Sequence, residues 1–228
     1  MASALSAPAW QPPRRSKKKI VFWLVFFAVT AFVTYMKNAR VFDPSSEVAR
    51  HFSPGTRFLI PHAFFSGIAL VMGALQFSNR LRARFLALHR RLGYVYVVCV
   101  VVGAPMAIPL SVKIGTPSLV AASVVQTFGW VACTLIALYC IRNGNIQQHR
   151  RWMLRGYPFA VVFTVTRVII PIPPILRSGV VGTEIVVWCT IAAAAFLPTL
   201  VLEWPALRRA RPSAPRASAT AQAATAVQ

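Results

Sequence analysis

Three histidines and one arginine stand where their chemistry is out of keeping with their surroundings. His62 lies near the start of an apolar run. His89 and His149 each open the tripeptide His-Arg-Arg, shortly before a tyrosine and a further apolar run, and Arg167 sits deep inside another such run. Three readings of the histidines stay open. Neutral imidazoles are good axial ligands, so two of His62, His89 and His149 could hold a haem b, with a quinone-linked electron-transfer role. Against this, such ligands usually lie within spans, and His62 is left without a histidine partner, since only His51 in a loop remains. In the second reading the two clusters, with Arg90, Arg91, Arg150, Arg151 and Arg155, form a basic rim that binds the phosphates of anionic lipids. In the third, each histidine bonds a neighbour such as Glu203 or Gln76 and pins a helix pair.

Arg167 is the most costly residue. An arginine at the middle of a span costs about 2.5–3.5 kcal/mol on insertion scales unless it faces the protein interior or snorkels. No acidic residue lies deep in any run to neutralise it, because Glu184 and Glu203 stand at run ends. Its partners are therefore freed carbonyls, a polar side chain such as Gln126, or an anionic ligand group. His62 is expected at a similar depth. His62, Gln126 and Arg167 thus define a candidate polar cavity, either a packing device or a ligand contact.

Other chemistry finds little support. The chain of 228 residues has only 4 Asp and Glu, which excludes paired-carboxylate catalysis. There is no nucleophile elbow and no glycine-rich phosphate loop. The four cysteines, Cys99, Cys133, Cys140 and Cys189, all fall in apolar runs without metal-ligand spacing, so they read as packing residues rather than a disulfide framework or a metal site. A net charge of +21 and a pI near 11.7 suggest nucleic acid at first sight. The basic residues, however, sit in short clusters between apolar runs. That is the distribution of topogenic charge, and no nucleic-acid partner is expected.

Those residues must be positioned by membrane helices. With 57% hydrophobic and 13% charged residues the chain is too apolar for an ordinary soluble domain. Apolar runs at about 20–36, 58–77, 94–112, 118–141, 157–176 and 184–204 each approach the ~20 residues a helix needs to cross a bilayer. The fold expected is all-α: a polytopic bundle of six transmembrane helices over 20–207, with disordered tails at 1–19 and 208–228. With both termini cytoplasmic, eighteen of the 25 Lys and Arg residues fall in inside segments and six outside, with Arg167 within a span. This is the positive-inside pattern, in a membrane of the bacterial inner (plasma) type. His62 then lies towards the outer face, and His89 and His149 at the cytoplasmic face.

Finer features follow. Leu81, Phe85, Leu88 and Leu92 recur at helical spacing, which predicts an amphipathic interfacial helix running into the third span. Asn145 is placed to cap a helix starting at Ile146. Trp152 and Tyr157 are expected at headgroup depth. Pro105 and Pro109 should kink the third span, Pro171, Pro173 and Pro174 should end the fifth, and Pro198 should kink the sixth.

The motif series Pro61-His62 with Gly73-Ala74-Leu75-Gln76-Phe77, then Leu88-His89-Arg90-Arg91-Leu92-Gly93-Tyr94-Val95-Tyr96, then His149-Arg150-Arg151-Trp152-Met153, with Arg167 and a closing Glu203-Trp204, resembles an integral-membrane family of bacteria known as domain of unknown function 2306. The resemblance spans about residues 58–205. Thr199 stands where the family usually has asparagine. What the resemblance implies is a polytopic bilayer fold without an established activity.

Overall fold

The computed structural model describes residues 17–41, 43 and 45–209. Most of the two expected tails therefore lies outside the described residues. Among the described residues every regular element is helical. Helix α1 covers Lys17–Val41 and a short α2 covers Glu47–Phe52, followed by a 3-10 turn at Ser53–Gly55. Then come α3 (Thr56–Gln76), α4 (Asn79–Arg84), α5 (Leu86–Gly103), α6 (Ala107–Ile114), α7 (Pro117–Arg142), α8 (Ile146–Ile169), α9 (Pro173–Arg177) and α10 (Gly179–Arg209).

Four stretches are long and apolar enough to cross a membrane: Ala49–Gln76, Leu86–Ile114, Pro117–Arg142 and Gly179–Arg208. They contain or closely overlap the second, third, fourth and sixth expected runs. The first run is represented by the shorter apolar part of α1, Val21–Phe32. The fifth is helical throughout α8, but its His-Arg-Arg cluster, Arg155 and Arg167 dilute its apolar character. The exterior supports a lipid environment. Phe128 is 75% exposed and Val201 72%, and large apolar side chains of α3, α5, α7, α8 and α10 also point outward, a surface that water would not tolerate on a monomer. The interior is built instead from small and polar residues: Ala69, Ala122, Thr134 and Ala137 are all buried. That is how helices in lipid approach closely enough to gain dispersion energy.

Local chemistry explains the breaks. Pro105 has no N–H, and between α5 and α6 the Ala107 N–H turns back to the Ala104 carbonyl at 3.1 Å. The expected kink is thus a full break. Phe85, with φ −133° and ψ 57°, separates α4 from α5. The predicted amphipathic segment is therefore two pieces, the second of which becomes the first turns of α5. Asn145 caps α8 as expected, its Oδ1 accepting from Gln148 N at 3.0 Å. Gly144, at φ 75°, supplies the left-handed step between α7 and α8 that an L side chain would resist.

Consecutive long helices pack on one another: α3 on α5, α7 on α8, and α8 on α10. Helix α1 lies parallel to α8, with Trp23 against Tyr157 (centroids 6.3 Å apart) and Thr30 Oγ1 3.3 Å from Thr164 Oγ1. Up-and-down threading therefore gathers Gln76, His89, His149, Arg155 and Glu203 at one end of the bundle. His62, Gly103, Thr116 and Glu184 gather towards the other.

Candidate functional site

The centre of the bundle is set by glycines facing aromatic rings. A Cβ at Gly73 of α3 would stand 2.6 Å from the Tyr157 ring and 2.9 Å from that of Tyr96. Hydrogen at this position is what lets α8 and α5 press both rings into α3. The rings carry polar tips that need partners in a dry interior. Tyr157 Oη donates to the Leu70 carbonyl at 3.0 Å, and Trp130 Nε1 donates to Tyr96 Oη at 3.0 Å. Thr127 Oγ1 donates to the Ala104 carbonyl at 3.1 Å, beside the proline break. Tyr157 is thus a buried core residue, turned to other helices rather than to the membrane. The sequence carried one clue: Tyr96 follows His89 and Gly93 at i+7 and i+3, which places all three on one face of α5.

That face leads to the basic end. Gln76, the last residue of α3, is 7% exposed and lies over Gly93, its Oε1 3.6 Å from where a Cβ would be. One turn earlier on α5 is His89. Two buried nitrogens here, Gln76 Nε2 and His89 Nδ1, have no hydrogen-bond partner among the described residues. The charges of Arg82 and Arg90 and the ring of His149 all act on His89, and the helix order puts the two His-Arg-Arg clusters at the same end of the bundle. Arg82 donates to Asn79 Oδ1 and lies close enough to Arg150 to feel its charge. Burial first, and then Arg150, hold the Arg82 guanidinium below its ordinary pKa. His149 donates from Nδ1 to the Ala137 carbonyl at 2.8 Å, which leaves Nε2 free when the ring is neutral.

The carboxylate at this end is spoken for. Glu203 of α10 accepts from Arg155 at 3.1 Å and lies 3.8 Å from Arg151, while the Arg155 guanidinium also covers the Trp152 ring at 5.0 Å. Neither histidine bonds Glu203 or Gln76. The histidine that does pin a helix pair on this side does so through a backbone carbonyl.

The three residues of the expected polar cavity each find a separate partner. His62 donates from Nδ1 to the Gly103 carbonyl at 2.8 Å, with Ser66 Oγ 3.4 Å from the same nitrogen. That carbonyl lost its helical donor when Ala107 turned to Ala104. Gln126 Nε2 donates to the Phe159 carbonyl at 3.1 Å, joining α7 to α8. The Arg167 guanidinium stacks over the Phe163 ring at 5.3 Å. Among the described residues no hydrogen bond joins any two of the three. Facing Glu184 at that end, Thr116 donates its hydroxyl to the carboxylate while capping α7.

Fold and surface define an all-helical membrane protein. The chain belongs to the family described as predicted membrane proteins, domain of unknown function 2306 (DUF2306), which matches residues 59–205. No curated protein and no solved structure matches it.

Proposed function

We propose that this chain is a six-pass protein of the inner (plasma) membrane, with both termini cytoplasmic, whose chemistry is concentrated at its cytoplasmic end. There a basic rim of His89, Arg90, Arg91, His149, Arg150 and Arg151 engages the phosphates of anionic lipids. His62, Gln126 and Arg167 form a polar layer nearer the opposite face. The observation that carries this reading is the helix order, which brings α4 with Arg82, the start of α5 with Arg90 and Arg91, and the start of α8 with Arg150 to one end of the bundle, where the carboxylate of Glu203 is already held by Arg155 and Arg151. Cations so assembled, without acids to neutralise them, suit a surface of negative potential, where each is worth about 1 kcal/mol.

The topology is tested with reporter fusions. A reporter active only outside the cytoplasm should be silent when fused after Gln148 and active after Ser178. Activity after Gln148 would refute the six-pass arrangement.

A second reading is haem b held by His89 and His149. It is favoured by the place of both histidines at the same end of the bundle and by the Nδ1 bond of His149 to a carbonyl, the kind of second bond that orients ligating imidazoles. Protein purified from haem-replete cells would then show an α-band in a dithionite-reduced minus oxidised spectrum. Its absence would remove the haem reading and leave the basic rim.

A further inference from the structure

Two buried polar nitrogens without partners are costly: each such group forfeits about 1–3 kcal/mol when no partner meets it. Gln76 Nε2 and His89 Nδ1 are in that state: Gln76, at the end of α3, lies over Gly93 of α5, one helical turn after His89. Arginine and imidazole groups stand at the same end of the bundle. Arg82 comes from α4, Arg90 from α5, and Arg150 and His149 from the start of α8. Helix α5 adds its own positive end, since no side chain caps its N-terminus at Leu86. The place therefore has neutral polar nitrogens inside, cations at the same end of the bundle and no free carboxylate. An acceptor with several oxygens and negative charge satisfies all of these groups at once.

We propose that the Gln76 amide, the His89 ring and the Arg82 guanidinium wall a pocket for one phosphate group, carried by a phospholipid headgroup or by a soluble phosphate compound. The pocket rests on the reading of the basic end as a phosphate-engaging surface and adds to it a single site with named donors. Gln76 and His89 give directional hydrogen bonds to the phosphate oxygens. Arg82, with one donor committed to Asn79, keeps others free for a charged contact. The position of Gln76 at the end of α3, beside Gly93, sets the depth to which the phosphate enters.

The test uses the full chain in nanodiscs of equal parts phosphatidylcholine and phosphatidylglycerol, released gently and weighed by native mass spectrometry. One retained phosphatidylglycerol per chain is expected. Gln76→Leu and Arg82→Ala should each weaken that retention by about tenfold, the scale of one charge-assisted hydrogen bond. Arg84→Ala, on an exposed position of the same helix as Arg82, should leave it unchanged. In discs of phosphatidylcholine alone, a rise in melting temperature on adding inorganic phosphate, lost in both variants, assigns the site to soluble phosphates as well. Retention of phosphatidylglycerol without that rise restricts it to lipid. Equal losses in all three variants would overturn the pocket while the diffuse rim stands, and unchanged retention in Gln76→Leu and Arg82→Ala would overturn it too. No preference for phosphatidylglycerol and no response to phosphate in the unaltered chain would overturn both. Arg82 is only half-buried in a short helix, so Arg82→Ala decides the matter even where Gln76→Leu fails to fold.

Discussion

At the scale of single residues, the bundle depends on contacts in which one atom more or less decides the outcome. Gly73 meets two rings at distances no real Cβ tolerates, and both rings are buried and hydrogen-bonded, so they have nowhere to swing. Gly73→Ala should lower stability by about 1–3 kcal/mol, the usual cost of overpacking. Gly67→Ala, with nothing within 4 Å of its added Cβ, should be neutral or gain up to about 1 kcal/mol from helix propensity. Thermal melting of both variants in the same detergent compares them, and equal shifts would argue against the aromatic clamp. Tyr96→Phe should cost about 1–3 kcal/mol, because the Trp130 N–H is then buried without an acceptor. Adding Trp130→Phe to that variant should cost less than the two single changes summed, since the orphaned donor is removed. The residues singled out from the sequence were mostly the charged and the imidazole ones. Gly73 and Tyr96 were named only as parts of motifs and Tyr157 only for its depth, because nothing in a single sequence says which tyrosine faces a partner helix and which faces a headgroup.

At the scale of elements, boundaries written in local chemistry were legible and partnerships between helices were not. Asn145 before Ile146 and the prolines after Ile169 mark ends that the structure reproduces, while the helical spacing from Leu81 to Leu92 gave no sign of the break at Phe85. The proline at position 105 announced a kink, but not that the released Gly103 carbonyl would be taken by His62 forty-one residues earlier. Glu203 likewise looked like a partner for a histidine. The depth and length of arginine side chains on α8 bring Arg155 and Arg151 to it first. This ion pair fastens α10 to α8, and its partial exposure limits its worth. Glu203→Gln should lower the melting temperature by a few degrees at low salt, with the difference from the unaltered chain shrinking as salt is raised. A difference that does not respond to salt would show that the contact works through packing.

At the scale of the whole molecule, the polarity of the two ends is the main result. The basic residues cluster between the apolar runs of the sequence, and the helix order brings the start of α5 and the start of α8 to the same end of the bundle, where Gln76 lies over Gly93. The composition makes membrane residence plain. Four helices carry that conclusion on length and apolarity alone, while α8, packed between α7 and α10, is less apolar. The sidedness of the bundle is most directly tested by thiol labelling in a chain whose four native cysteines are replaced. Gln147→Cys marks the basic end, and Ser178→Cys the opposite one. In right-side-out vesicles a membrane-impermeant maleimide should label Ser178→Cys and spare Gln147→Cys, and in inside-out vesicles the pattern should reverse. Labelling of Gln147→Cys from outside, or of both positions from the same side, would contradict a basic end that faces the cytoplasm.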